Sequence, residues 1–478
     1  MSELPNSWAT VELGDIASFV MGQAPKAQDC NKDGIGTVFV KAGEFGKALP
    51  LIREWTTKPL KFAQAGDVLI CVVGATAGKL NLAIDCAIGR SVAAIRPEFE
   101  IPQRYIYYFL VSQIQKLRQG STGSAQGVIS KPDLAGITIP LAPGAEQSRI
   151  VQKVDVLLAE VDTLKSRIDT IPALLKRFRQ SVLAAAVSGR LTEEWRASAI
   201  TLGSAHQLHR QLKESHEAEG GHARGNASNP TEEAHDLSPS DLPECWDIAE
   251  MRDICAPGRP ITYGILKPGP ELEEGVPYIR VADFPGNKLN PANIKKTSPE
   301  IDLQFKRARL ITGDLLLSIR GSVGRLIKIP EALDGANITQ DTARLSISPL
   351  VSTTFIYWVL LADSTQRRMK NATRGVAVRG INIGDVRAIQ IPLPTLEEQT
   401  EVVRRVEQLF AFADQVEAKV ASAKTCIGHL TQSILAKAFR GELVPQDPND
   451  EPASVLLERI NAERAAAPKA NRGRKASA

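Results

Sequence analysis

Two long stretches of this chain place apolar residues at alternating spacings of four and three. In the first, they are Ile150, Val154, Leu157, Val161, Leu164, Ile168, Ile171, Leu175, Phe178 and Val182. In the second, they are Val402, Val406, Leu409, Ala413, Val416, Val420, Ala423, Ile427, Leu430 and Ile434. A repeat of about 3.5 residues held this long predicts two helices that meet along a coiled-coil seam. A helix lying on a globular core would show a wider stripe. A whole domain lies between the stretches, so the helices can pair antiparallel. At about 1.5 Å per residue, each would span about 50 Å. Pro172 sits inside the first seam, where the second has Lys424, and predicts a kink or restart near Ile171.

The remaining pattern is short apolar runs bounded by glycine and proline, which predict strands and turns. These runs repeat. IPLAPGAEQSRIVQKVDVLLAEVD from Ile139 and IPLPTLEEQTEVVRRVEQLFAFAD from Ile391 align without gaps at an offset of 252 residues. The same offset holds to Gly189 and Gly441. Upstream the likeness loosens. AGDVLICVVGATAGK from Ala65 resembles TGDLLLSIRGSVGR from Thr312, and LPNSW from Leu4 resembles LPECW from Leu242. The chain is therefore a duplication of a globular module followed by a long helix. The helices stayed in register while the modules diverged. A unit this long is a duplicated domain, not a solenoid repeat.

Composition adds bounds. The chain has 478 residues, 43% hydrophobic and 23% charged, with a net charge of +4, as expected of a soluble multidomain protein. Six cysteines lie far apart with no CxxC pair, which points to free thiols in a reducing compartment. No signal-peptide pattern opens the chain and no apolar run is long enough to span a bilayer, so a cytoplasmic location is expected. Ala197 to Asp241 is rich in Gly, Ser, Asn and Glu and carries five of the six histidines: His206, His209, His216, His222 and His235. No ligand spacing accompanies them, so a solvated linker with a short helix around Gln207–Glu217 is expected, and no metal. The tail PKANRGRKASA is basic and suited to weak phosphate attraction.

The motifs of catalysis do not emerge. GATAGK at Gly74–Lys79 lacks the earlier glycine of a phosphate-binding loop, and Leu80 stands where Ser or Thr is needed. His216-Glu217 is not followed by a second histidine, and no GxSxG elbow occurs. A non-catalytic binding subunit accounts best for two modules without an active-site motif.

Taken together, the helical segments above, with IPALLKRFRQSVLAAAVSGRLTEEWR and LTQSILAKAFRGEL, resemble the specificity (S) subunits of Type I restriction-modification systems, in particular the Type IA branch. The resemblance covers nearly the whole chain. It implies an α+β fold of two mixed target recognition domains separated by two long antiparallel coiled-coil helices in a pseudo-two-fold repeat. The expected divisions are a first recognition domain at 1–145, a central helical region at 146–200, a linker at 201–240, a second recognition domain at 241–396, a distal helical region at 397–445, and a short helix with a basic tail at 446–478. It further implies that each recognition domain reads half of a bipartite site in double-stranded DNA and that the helices set the spacer. Their expected length exceeds one turn of B-DNA, about 34–36 Å. The implied partners are two methyltransferase and two restriction subunits, which would use S-adenosylmethionine, Mg²⁺ and ATP; no cofactor is implied for this chain. The competing reading is a structural coiled-coil adaptor, which explains the seams but not the paired, diverged modules.

Basic residues near turns are the candidates for DNA contact: Lys41, Lys79 and Arg90 in the first module, and Arg280, Arg320, Arg325, Arg374 and Arg379 in the second. Arg320, Arg374 and Arg379 rank first because they adjoin glycine turns. The turn Gly123–Gln126 matches Gly375–Val378, which adds Ser124 and Gln126. A solvated surface charge is the ordinary reading of any one of these alone.

Overall fold

The computed structural model describes residues 4–98, 100–120, 128–198, 203–219, 237–291, 294–374 and 380–466. It divides into two compact units, one formed by Met1–Asp169 with Val420–Ala478 and the other by Thr170–Lys419.

In the first unit, strands β1 (Ala17–Met21), β2 (Val68–Cys71), β3 (Leu80–Leu82) and β4 (Val92–Pro97) form an antiparallel sheet in the order β1-β4-β2-β3. Strand β2 is apolar at every position because both sheet faces are covered. Val68 and Ile70 face the main core, while Leu69 joins a smaller cluster with Val40, Ile88 and Ala94. A second pairing, Ala9–Glu12 against Thr138–Leu141, leads into helix α1 (Gly144–Val187).

The second unit repeats this plan. Strands β5 (Thr262–Tyr263), β6 (Leu315–Ser318), β7 (Leu326–Lys328) and β8 (Thr342–Leu345) take the order β5-β8-β6-β7. Leu315 and Leu317 enter the main core and Leu316 the lesser one. Asp247–Glu250 pairs with Gln390–Leu393 and leads into helix α2 (Leu396–Ala438).

The expected antiparallel pairing of the helices is present within each unit. In the first, Asp169 meets Lys424 at 2.8 Å. In the second, Arg179 reaches Asp414 and Glu417, and Arg405 donates to the Leu191 carbonyl at 2.9 Å. Two expectations change in detail. Helix α1 continues through Pro172 and does not restart at Ile171. The ring removes one N–H from the helical ladder, but long turns on either side hold the helix. The seam is also unevenly buried. Ile150, Val154, Val402 and Val406 are buried in the cores of the modules, whereas Leu164 is 45% exposed and Leu430 41%. The ends of each seam therefore serve module packing as well as helix pairing.

The stretch expected to be a linker contains a helix at Ala205–Ala218, capped by Ser204. Its histidines are not all solvated. His206 and His209 both reach Asp247 Oδ2 at 2.9 Å, and His209 is buried. The six cysteines are free thiols. Among the described residues, no helix is long and apolar enough to cross a membrane.

Candidate nucleic-acid interface

In the second unit, two turns meet Arg374 and Gly380 at one end of the β5–β8 sheet. Strand β6 ends in Ile319-Arg320-Gly321. The turn Thr339-Gln340-Asp341 enters β8, and Arg374 and Gly380 lie beside the end of β6. The backbone ties them together. Ile319 N donates to the Asp341 carbonyl at 2.8 Å, Ile381 N donates to Ile319 O at 2.8 Å, and Gly380 bridges both Arg320 and Arg374. Arg325 Nη1 donates to the Val281 carbonyl at 3.3 Å, beside Arg280. Four sequence candidates, Arg280, Arg320, Arg325 and Arg374, are thus brought to one end of one unit.

Their electrostatic situations differ. Arg280 donates to both oxygens of Asp283, a fully buried carboxylate, and this pairing holds its guanidinium above the ordinary range. Arg374 stands 4.0 Å from Asp385. Arg320 Nη1 donates instead to the neutral amide oxygen of Gln340 at 3.1 Å, on the exposed surface. Its charge therefore stays available to an anionic partner.

The first unit uses the same scaffold with other side chains. Val72 N donates to Ser91 O at 2.9 Å and Ile129 N to Val72 O at 2.8 Å, the counterparts of the Ile319 and Ile381 bonds. Gly89 N donates to Val40 O at 2.9 Å, which sets Arg90 beside Lys41. Lys41 forms an ion pair with Glu54 that raises its ammonium above the ordinary value. Lys79 and Arg90 are exposed, and among the described residues neither forms an ion pair with a carboxylate. Where the second unit has Arg320 and Gln340, the first has Val73 and Arg90. Ser124, Gln126 and Arg379 lie outside the described residues. Gln340 escaped the sequence reading, although aligning CAIGRSVA with ANITQDTA would have set it opposite Arg90.

A family model described as the Type I restriction modification DNA specificity domain matches twice, at residues 5–173 and 243–422. The chain belongs to that family. It is 32% identical to the Type I restriction enzyme EcoBI specificity subunit of Escherichia coli, across 99% of this chain and 94% of that protein. It is likewise 32% identical to the EcoKI specificity subunit of Escherichia coli (strain K12), across 99% and 98%. Among solved structures, the fold is similar to the HsdS subunit from Thermoanaerobacter tengcongensis, with a TM-score of 0.59 and 20% identity over 92% of this chain and 98% of that one. The doubled match falls on the two units, each with its own copy of the converging turns. The surface of a specificity-family chain is thus built twice on one scaffold, with different residues at equivalent places.

Proposed function

We propose that this chain is the DNA-reading subunit of a Type I restriction-modification complex and that each unit reads one half of a bipartite site in double-stranded DNA. The observation that carries this reading is the same pair of turns, held by the same backbone bonds, carrying Val73 and Arg90 in one unit and Arg320 and Gln340 in the other. Equal scaffolds with unequal side chains suit two different half-sites. An adaptor would have no need of that divergence.

On this reading the paired helices set the spacer between half-sites and dock two methyltransferase subunits, through which two restriction subunits join. Adenine-N6 methylation and ATP-dependent cleavage belong to those partners, with S-adenosylmethionine, Mg²⁺ and ATP as their cofactors, and the whole acts in the cytoplasm. The chain's own contribution is recognition. The test is single-molecule methylome sequencing of a host that expresses this chain with its methyltransferase subunit. The expected result is methylated adenines within one bipartite, asymmetric motif. Methylation spread without a motif, or none above the level given by the methyltransferase subunit alone, would overturn the proposal.

A further inference from the structure

The Arg320–Gln340 contact has a chemistry that its neighbours lack. A guanidinium is donor-only, so the Gln340 atom that faces Arg320 must be the amide oxygen, and the orientation of the amide is fixed. One lone pair of that oxygen is thereby occupied. What remains on offer is mostly donors: the unused N–H groups of Arg320 and the two of the Gln340 amide, against the single remaining lone pair of that oxygen.

The backbone holds this set in place. Arg320 N donates to the Asp341 carbonyl at 3.3 Å, and Gln340 N donates to Ile265 O at 3.0 Å. The Arg320 stem lies against Gly380, where an added Cβ would stand 3.1 Å from Arg320 Cγ, so a larger residue there would push the guanidinium away. Neighbouring cations are engaged elsewhere: Arg280 with Asp283, and Arg325 with a backbone carbonyl. A pre-organised, donor-rich edge complements the acceptors N7 and O6 that guanine presents in the major groove. Adenine offers N7 but also the N6 donor, which needs an acceptor. A lone glutamine could supply one with both lone pairs free; here Arg320 takes one of the two lone pairs of that oxygen and adds its own donors beside it, so the pair as a whole favours acceptors.

We propose that Arg320 and Gln340 act as one base-reading pair and select guanine over adenine at one position of the half-site read by the second unit. This rests on the DNA-reading function proposed above. The first unit, with Val73 and Arg90 at the equivalent places, makes no such pair and is free to read a different base.

The test incubates the complete complex of this chain and its methyltransferase subunit with a randomised duplex library and sequences the methylated products. Wild type is compared with Arg320→Val, which installs the side chain the first unit carries, and with Gln340→Glu, which turns the contact into an ion pair. The expected result is a wild-type guanine at one position of one half-site. In both variants that preference should weaken by about 5- to 150-fold, the range of one bidentate base contact. The other half-site and the spacer should be unchanged, and they report that the variants are folded and assembled. Preferences identical to wild type at every position in both variants would overturn the pair, as would a lost preference for a base other than guanine. Loss of both half-sites together would also count against a local reading role. Absence of any motif with wild type would instead overturn the DNA-reading function itself.

Discussion

The indole nitrogen of Trp246 donates to Glu398 Oε2 at 2.8 Å, with both side chains buried. The other carboxylate oxygen accepts from Thr192 Oγ1 at 2.7 Å and forms an ion pair with Arg196. The first unit makes the same bond, from Trp8 Nε1 to Glu146 Oε2 at 2.9 Å, but its second partner is the neutral Gln446. The Leu-Pro-x-x-Trp that opens each module is therefore locked to the first turn of the long helix that follows it. The segment closing each lock comes from the end of the partner helix in the same unit: Thr192 and Arg196 in one, Gln446 in the other.

The difference between the two locks predicts unequal costs. Glu398→Ala leaves Arg196 without its carboxylate, and removing one partner of a buried pair costs about 3–5 kcal/mol. Glu146→Ala orphans only neutral donors, for which about 1–3 kcal/mol is expected. Urea unfolding of the two variants should rank them in that order. Equal losses would show that the charge on Arg196 contributes nothing.

Two glycines make a matched test of backbone geometry. Gly189 has φ of +73°, and a Cβ there would lie 2.4 Å from Pro243 Cγ. Gly428 sits within α2 with open space around it. Gly189→Ala should destabilise the chain by about 1–3 kcal/mol through strain at a left-handed position. Gly428→Ala should stabilise it by about 0.5–1 kcal/mol by favouring the helix. Calorimetric unfolding midpoints moving in opposite directions are the expected outcome.

How far the sequence disclosed all this follows from the range of each interaction. The helices were legible because a heptad is local and repeats many times, and the duplication because the helical segments kept one register. The lock at Trp246 was half visible. Its motif could be read, but Glu398 is 152 residues away and nothing local marks it as the partner. The buried aspartates of the Gly-Asp strands make the same point. Asp67 is paired by Arg96 from strand β4, yet Asp314 takes Arg259 from a loop before β5. Only the packed fold decides which arginine arrives. At the candidate interface, Arg320 stood out as a cation beside a glycine turn. Gln340 did not, because a neutral residue gains meaning there only through the guanidinium that holds it.

The uneven seam gives a third prediction. Ile150 is 1% exposed and belongs to the core of the first unit, whereas Leu164, in the same heptad pattern, is 45% exposed. Ile150→Ala should cost about 2–5 kcal/mol, as for a buried aliphatic residue. Leu164→Ala should stay within about 1 kcal/mol, since nearly half of its surface stays in water on folding. Chemical denaturation of the two variants checks this. A large loss at Leu164 would mean that the helices pack more tightly at their centre than its exposure indicates.

A final prediction concerns pH. Asp253, 3.7 Å from Nε2, and Asp247, bonded to Nδ1 at 2.9 Å, hold the His209 imidazole above its ordinary value of 6.5, against the opposing effects of burial and of Lys213. A histidine with a raised pKa binds its proton more tightly when folded. Its contribution is therefore complete below 6.5 and is lost as pH rises through the folded value. What weakens is the attachment of the Ala205–Ala218 helix to strand Asp247–Glu250 and the Met251–Ile254 turn. His206 reaches the same Asp247 oxygen from an exposed position. Wild type should lose more stability than His209→Gln on going from about pH 6 to about pH 8.5, the window set by this linkage. Protection of the amides in Ala205–Ala218, taken relative to their intrinsic base-catalysed exchange, should fall in wild type over the same interval and stay level in the variant. Equal pH slopes for the two proteins would show that the two carboxylates do not hold a proton on His209.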